Sequence, residues 1–114
     1  MAANSLDWSI IDYSKRCVVF SADSLKHIEK NHPEVSNKIN EIRSVVESPE
    51  IVKRSSEYAD TEVYARYGVC SGKYKNFYLN VVVSYRIAQG DIKTAYFSKI
   101  AEGEHPPLYV RIKR

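Results

Sequence analysis

Apolar residues follow two different spacings along the chain, and the change lies near Ser48-Pro49. Before that point, apolar positions recur with the period of one helix face. After it, apolar and polar residues alternate, as they do along a half-buried strand. We therefore predict an α+β fold in which N-terminal helices pack on a four-stranded antiparallel β-sheet.

Two helices are predicted ahead of Pro49. Ser21 is a suitable N-cap for the first helix, and His32-Pro33 should end it, because the residue before a proline is driven out of the α-helical region. Pro33 itself suits the first turn of a second helix. The apolar face of the first helix carries Ala22, Leu25 and Ile28, and that of the second carries Val35, Ile39, Ile42 and Val46. Two segments that precede the helices, Trp8 to Ile11 and Cys17 to Phe20, are predicted to be short strands or extended segments.

Four strands are predicted after Pro49, separated by turn-forming residues. They span Ile51 to Lys53, Val63 to Val69, Phe77 to Arg86 and Ile92 to Ser98. In the third strand the odd-numbered residues should face the core. The even-numbered ones should lie on the opposite side, here called the open face: Tyr78, Asn80, Val82, Ser84 and Arg86. By the same alternation in the second strand, Tyr64 and Arg66 should also lie on the open face.

The turn between the third and fourth strands decides how they align. A three-residue turn at Ala88-Gln89-Gly90, with its glycine in the left-handed conformation, sets Val83 opposite Ala95. A two-residue turn over the last two of these would set Arg86 against Lys93, which is unfavourable for like charges. We therefore expect the first register, with these open-face neighbours: Ser84 beside Thr94, and Val82 beside Tyr96.

Length and composition fit one globular domain. The 114 residues are 44% hydrophobic and 27% charged, which suits a single domain over residues 1–114, with its core at about residues 16–100 and an extended C-terminal tail. Within that tail, Tyr109 to Ile112 is a candidate edge strand. No apolar run approaches the ~20 residues of a membrane span and no apolar signal segment is present, so we expect a cytoplasmic protein. Cys17 and Cys70 have no zinc-ligand spacing and should be free thiols.

Positive charge and tyrosine share the C-terminal half. Residues 1–57 carry 8 basic and 9 acidic side chains, whereas residues 58–114 carry 9 basic and 5 acidic ones and eight of the nine tyrosines. Such a surface suits RNA, since Lys and Arg neutralise phosphates and tyrosine rings stack on bases. Tyrosine is also common in strands, so strand composition remains an alternative explanation.

His27 and His32 are the candidate catalytic histidines. His27 points ~160° around the helix from the apolar face, so the core does not require it; a solvent-exposed helix histidine is the alternative. His32 lies at the helix junction, where a ring bonded to a freed backbone group is the alternative. A metal site is not expected, because their five-residue spacing turns the side chains ~140° apart and no further ligand stands at a supporting spacing. We expect no cofactor.

The polar residues predicted for the open face suit metal-free RNA cleavage. That reaction needs a base for the 2′-hydroxyl proton, an acid for the leaving oxygen, and cations or donors for the phosphorane. His, Arg, Thr and Tyr side chains supply all three. The chain contains no Walker loop, dinucleotide fingerprint or GxSxG elbow that would indicate another chemistry.

Several motifs in order resemble a known family. The segment His27-Ile28-Glu29-Lys30-Asn31-His32-Pro33-Glu34 is followed by Ser48-Pro49-Glu50, then by Val81-Val82-Val83 and Thr94-Ala95-Tyr96-Phe97. This order, over about residues 16–100, resembles the PBECR-type nuclease-like domains of phage and bacteria, which belong to the barnase, EndoU, colicin and RelE superfamily. The resemblance implies helices on a four-stranded antiparallel sheet and metal-independent ribonuclease activity. It also implies catalytic positions at His27, His32, Thr94 and Tyr96.

The expected substrate-binding residues surround these positions. Ser84 stands where the family pattern leads us to expect a basic residue, and Arg86 follows on the same face. We expect Arg66 and Arg86 to bind phosphate, with Tyr64, Tyr78 and Ser84 completing the surface. The expected partner is RNA and not a membrane, together with an antitoxin or immunity protein if the domain is a toxin or phage-derived effector. Two alternatives remain open, a non-catalytic RNA-binding module and a protein-interaction module that uses exposed tyrosines.

Overall fold

The computed structural model describes residues 8–87 and 89–112. Within that range it contains seven strands and two α-helices. In chain order they are β1 (Trp8–Ile11), β2 (Cys17–Phe20), α1 (Ala22–Asn31), α2 (Ile39–Glu47), β3 (Ile51–Arg54), β4 (Thr61–Tyr67), β5 (Tyr78–Arg86), β6 (Gln89–Ser98) and β7 (Glu104–Val110). Short 3₁₀ turns lie at Pro33–Val35 and Gly72–Tyr74. Neither of the two described helices has the length and apolar character needed to cross a membrane.

The strands form one mixed sheet in the order β1-β2-β6-β5-β4-β3-β7. β2 runs parallel to β6, with Cys17 opposite Gln89 and Val19 opposite Asp91, while the other neighbours are antiparallel. The predicted four-stranded antiparallel sheet is therefore wrong. β3 to β6 correspond to the four predicted strands. β1 and β2 coincide with the two segments expected ahead of the helices, and β7 contains part of the candidate edge strand but begins earlier, at Glu104. These three strands join the same sheet, β1 and β2 beyond β6 and β7 beyond β3. Pairing between segments so distant in the chain leaves no mark on local alternation, which is why the sequence pattern missed it.

α1 begins and ends where the sequence predicts. The Ser21 hydroxyl accepts a hydrogen bond from the amide three residues later, and His32 caps the C-terminus. The second predicted helix is interrupted, because Pro33–Val35 forms a single 3₁₀ turn and α2 begins only at Ile39. The Ser36 hydroxyl donates to the proline carbonyl at 2.9 Å, a local bond that competes with continued helical pairing.

The core lies between one face of the sheet and α2, whose buried residues are Ile42, Val45 and Val46. α1 instead lies along the edge of β6, beyond the residues that pair with β2, and its Ser24 hydroxyl donates to the Ile92 carbonyl at 2.5 Å. Because α1 lies at an edge, it borders both faces of the sheet. Ile28 is buried in the core, and His27 is exposed on the open-face side.

The alignment of β5 with β6 differs from the prediction in two ways: Arg86 already pairs with Gln89, so the strands meet earlier than the predicted turn allows, and β6 contains a bulge. Ala95 therefore lies opposite Val81, and the predicted pairing of Val83 with Ala95 is wrong. Val82 lies opposite Thr94, but Val83 lies opposite Ile92, so Lys93 is an extra residue in β6. Gln89 and Gly90, which the sequence placed in the turn, already pair within β6, and Ala88 lies outside the described residues. The predicted left-handed glycine is therefore wrong, since Gly90 is an extended strand residue. A like-charge pair can distinguish two turn lengths, but it carries no information on a bulge within the strand.

Tyr64 and Arg66 face the helices, so their predicted positions on the open face are wrong. Tyr64 lies opposite Val81 and is completely buried. Arg66 donates to the Ser44 hydroxyl of α2 at 2.9 Å. Alternation of apolar residues failed in β4 because a tyrosine whose phenol is hydrogen-bonded can occupy the core as well as an aliphatic residue does.

A buried polar network supplies that hydrogen bonding and joins the β1–β2 hairpin to the sheet. The Asp12 carboxylate accepts hydrogen bonds from the phenols of Tyr64 at 2.5 Å and Tyr85 at 3.0 Å. The Arg16 guanidinium contacts Glu62 of β4 through two bonds of 2.8 and 3.1 Å. Burial by itself would raise the pKa of Asp12, but the hydrogen bonds from Tyr64 and from the hairpin turn outweigh it and lower the pKa.

Candidate functional site

A pocket of about 670 Å³ lies on the open face, over β4, β5 and β6. Val63, Val82, Ser84 and Thr94 belong to the strands beneath it. Its walls come from α1 through His27, from the loop between β3 and β4, and from residues 102 and 103 ahead of β7. The pocket thus combines a sheet floor with side chains from three separate parts of the chain.

The β6 bulge determines which side chains reach the pocket. In a regular strand Lys93 and Thr94 would project to opposite faces. Because Lys93 is the extra residue, both of these side chains line the pocket while Ile92 remains in the core. The bulge therefore brings a lysine and a threonine together in the lining of one cavity.

The Thr94 hydroxyl is the least satisfied polar group in this region. Its oxygen is buried and has no hydrogen-bond partner among the residues that the structure describes. Leaving a hydroxyl buried without a partner costs about 1–3 kcal/mol. A ligand that hydrogen-bonds to Thr94 would recover that free energy.

Tyr96 supplies a phenol to the same pocket. Burial raises the pKa of this phenol, and the negative charges of Glu102 and Glu57 raise it further. The hydroxyl therefore stays protonated at neutral pH and can donate a hydrogen bond. The ring of His32, at the end of α1, packs against the Tyr96 ring.

His27 is held by a neighbour one helical turn away. The Asn31 side-chain amide nitrogen lies 3.1 Å from His27 Nδ1 and 3.0 Å from the His27 carbonyl oxygen. An amide nitrogen can only donate, so His27 Nδ1 must be the acceptor and the neutral ring carries its proton on Nε2. His27 is therefore arranged as a hydrogen-bond donor, and proton transfer through Nδ1 requires Asn31 to turn away.

Carboxylates outnumber cations around the pocket. The acidic residues of its lining are Glu57, Asp60 and Glu102, and the basic residue is Lys93. Within residues 8–87 and 89–112, no three His, Cys, Asp or Glu side chains are grouped closely enough to hold a metal ion. The acidic walls favour proton acceptance and hydrogen bonding to donors on a ligand.

Four of the nine predicted site residues meet in this pocket: His27, Ser84, Thr94 and Tyr96. His32 is outside its lining and contacts it through Tyr96. The predicted neighbours on the floor are changed, since Val82 rather than Ser84 lies beside Thr94, and Asn80 rather than Val82 lies beside Tyr96.

The other predicted residues lie elsewhere. Arg86 is at the end of β5, with its side chain 80% exposed and its Nε 3.6 Å from Asp91. Tyr78 lies farther along the sheet, with its ring edge-on to Tyr67 at 5.2 Å. Tyr64 and Arg66 are on the helix side of the sheet. The predicted phosphate clamp of two arginines is therefore not assembled at the pocket.

Sequence reasoning missed Lys93 and the three carboxylates of the walls. A signal for Lys93 exists, because the buried residues Ile92 and Ala95 are three positions apart, which breaks the two-residue period and indicates a bulge. The wall residues carry no comparable signal, since they lie in loops whose path depends on the folded sheet.

No protein-family model, curated protein or solved structure matches this chain. Its function must therefore be inferred from the pocket itself.

Proposed function

We propose that the protein is a metal-independent endoribonuclease that acts on cytoplasmic RNA, with the open-face pocket as its active site. The supporting observation is the convergence of His27, Thr94 and Tyr96 with Lys93 in one cavity. In this reaction the 2′-oxygen attacks phosphorus, the bond to the 5′-oxygen breaks, and a cyclic phosphate forms. A base removes the 2′-hydroxyl proton and an acid protonates the leaving 5′-oxygen.

Three pocket residues suit the charged phosphate oxygens. Lys93 offers an ammonium group, Thr94 an unpaired hydroxyl and Tyr96 a phenol that stays protonated. Donors placed where negative charge develops typically contribute about 10²–10³-fold to turnover each. This set takes the role that the sequence had assigned to Arg66 and Arg86.

Proton transfer is assigned to His27 and a wall carboxylate. His27 lines the pocket and carries its proton on Nε2, and Glu57 and Glu102 are acceptors close enough to raise the pKa of Tyr96. In the proposed cycle a carboxylate takes the 2′-hydroxyl proton. His27 protonates the leaving oxygen after Asn31 has turned away from Nδ1 and the ring has taken up a second proton.

The decisive experiment is cleavage of end-labelled structured and single-stranded RNAs in EDTA, with analysis of the product ends. We expect cyclic phosphate ends, and about 10²-fold or greater losses for Lys93→Gln and Tyr96→Phe. Lys38→Gln, which removes a lysine outside the pocket, and Tyr78→Phe, on the same face beyond the pocket, serve as matched controls. Cleavage that requires a divalent metal, or full activity in every pocket variant, contradicts the proposal.

A non-catalytic binding module is the second candidate, and the excess of carboxylates over lysine in the pocket favours it. An acidic pocket repels phosphate but accepts hydrogen bonds from the amino and imino groups of a base. Under this alternative, wild-type protein binds RNA and leaves it intact.

A toxin role would also require an inhibitor protein, so poor expression of the wild type that is relieved in Lys93→Gln supports the nuclease over the binding module.

A further inference from the structure

A second cluster of aromatic and basic residues lies outside the pocket, where β5 begins and β6 ends. The rings of Tyr74 and Phe97 stack in parallel, with centroids 4.2 Å apart and planes inclined by 6°. Phe77 meets them edge-on at 5.3 and 6.4 Å. Phe97 lies opposite the buried Leu79, so this cluster is on the helix side of the sheet. We call Tyr74, Phe77 and Phe97 the aromatic platform.

Lysine side chains surround this platform. Lys99 Nζ lies 4.1 Å from the centroid of the Phe77 ring, and Lys73 Nζ lies 5.5 Å from that of Tyr74. Lys75, between the two aromatic residues in sequence, is exposed. Within the described part of the chain, no carboxylate lies within ion-pair distance of these three amines. Their charges are therefore available to an external anion.

The chain carries no acidic residue near the platform in sequence. Residues 63–90 contain no Asp or Glu, and neither do residues 92–101. These stretches cover the whole 3₁₀ turn at Gly72–Tyr74, all of β5 and most of β6. Lys73, Lys75 and Lys99 therefore belong to acid-free stretches of the chain, whereas Asp60 and Glu102 line the pocket on the other face.

We propose that the aromatic platform and its lysines form a docking site for single-stranded RNA, separate from the pocket. Bases stack on aromatic faces whatever their sequence, and lysines neutralise the adjacent phosphates. In the free protein, Lys73 and Lys99 lie over the ring faces through cation–π contacts. A nucleotide offers a base that can stack on the ring and a phosphate that can pair with the amine. On binding, the lysines therefore exchange their contacts with the rings for contacts with the phosphates of the RNA, and the rings exchange the lysines for bases.

This inference rests on the proposed function only in its choice of RNA, and it adds a binding site that the cleavage chemistry does not require. Tyr96 and Phe97 are consecutive in β6, and their side chains project to opposite faces of the sheet. The two sites therefore cannot hold the same nucleotide. The platform holds a single-stranded segment outside the cleaved dinucleotide.

The test is the affinity of the full chain for a fluorescent 2′-O-methyl oligonucleotide, which cannot be cleaved through its 2′-oxygen. Tyr74→Leu keeps an apolar side chain and removes stacking, and it should weaken binding about 5–100-fold. The double variant Lys73→Gln/Lys99→Gln should reduce the slope of log affinity against log salt by about 1.4, because single-stranded nucleic acid contributes about 0.7 for each phosphate contact. Lys38→Gln is the matched control and should leave the slope unchanged.

The outcomes separate this inference from the proposed function. If the wild type binds the oligonucleotide through the platform but cleaves no RNA, the docking site stands and the nuclease proposal fails. If the wild type cleaves RNA while both platform variants bind like the wild type, the docking site is overturned. The same measurements are made with an acidic polyglutamate peptide in place of RNA. If both variants lose as much affinity for the peptide as for the oligonucleotide, the platform is a general anion-binding surface and the RNA docking site is overturned. Should Tyr74→Leu fail to fold, as judged by circular dichroism, the lysine double variant decides.

Discussion

The ring of His32 lies 5.7 Å from the ring of Tyr96, centroid to centroid, with the two planes inclined by 32°. This contact joins the C-terminal cap of α1 to the open face of β6. It also fixes one side of the phenol that lines the pocket. The position of Tyr96 therefore depends on where α1 ends, at His32-Pro33. His32 affects the pocket through its contact with Tyr96.

His32 is expected to be a positioning residue. His32→Phe keeps a planar ring beside Tyr96 and should retain most of the activity, whereas His32→Ala should lower it by weakening the hold on Tyr96. The measurements are turnover on a labelled RNA and the titration of Tyr96, followed by its ultraviolet absorbance. The absorbance change is assigned to Tyr96 by its loss in Tyr96→Phe. Equal loss of turnover in both His32 variants, with an unchanged Tyr96 titration, would instead indicate direct proton transfer by His32.

Thr94→Val should separate stability from function. The valine has nearly the same shape and removes a buried hydroxyl that lacks a partner, so the free energy of unfolding should stay unchanged or rise by about 0.5–1 kcal/mol. RNA cleavage should fall, because a phosphate donor is lost. Urea denaturation and turnover are measured on the same preparation. A clear loss of stability would show that the hydroxyl is satisfied within the folded protein.

Asp12→Asn should change the acid stability of the protein. The pKa of Asp12 is lowered below its ordinary value of 3.8, so its contribution to stability is fully present above that value and is lost as pH falls through the folded pKa. At pH 7 the variant should be less stable by about 1.5–3 kcal/mol, because hydrogen bonds to a buried charge are weakened. The difference should shrink toward pH 3. If the difference in unfolding free energy between wild type and variant does not change with pH, the Asp12 charge does not stabilise the fold and the prediction is contradicted.

Gly90→Ala should destabilise the sheet by about 1–3 kcal/mol through overpacking. A Cβ at Gly90 would lie 2.6 Å from Cε1 of Tyr85 and 2.8 Å from Cγ1 of Val83. Gln89→Ala, at the neighbouring exposed position, is the control and should change the unfolding free energy little. Thermal and urea denaturation measure both variants. A neutral effect of Gly90→Ala would mean that Tyr85 can move without cost.

Asn31→Ala tests the state of His27. The variant frees Nδ1, so turnover should rise, or the pH profile should shift, if His27 transfers protons in the cycle. If His27 only donates a hydrogen bond from Nε2, the variant should leave the pH profile unchanged. His27→Ala measured in parallel shows how much activity depends on the ring.

The sequence by itself determined the features that depend on neighbours in the chain. Ser21 and the His32-Pro33 pair set the bounds of α1, because capping and the steric effect of proline act within a few residues. Alternation located β3 to β6 for the same reason. The outward direction of His27 also followed from the period of a single helix.

Only the tertiary structure decided which segments pair and which face β4 presents. Three features depend on residues far apart in the chain: the parallel pairing of β2 with β6, the bulge at Lys93, and the burial of Tyr64 with its phenol hydrogen-bonded to Asp12. In each case several registers or partners fit the local sequence pattern equally well. Packing and hydrogen bonding in the folded core determine which of them forms. The pocket is the result of those choices, so its histidine, threonine and tyrosine were predicted, its lysine was marked only by the three-residue spacing of Ile92 and Ala95, and its carboxylates carried no signal in the sequence.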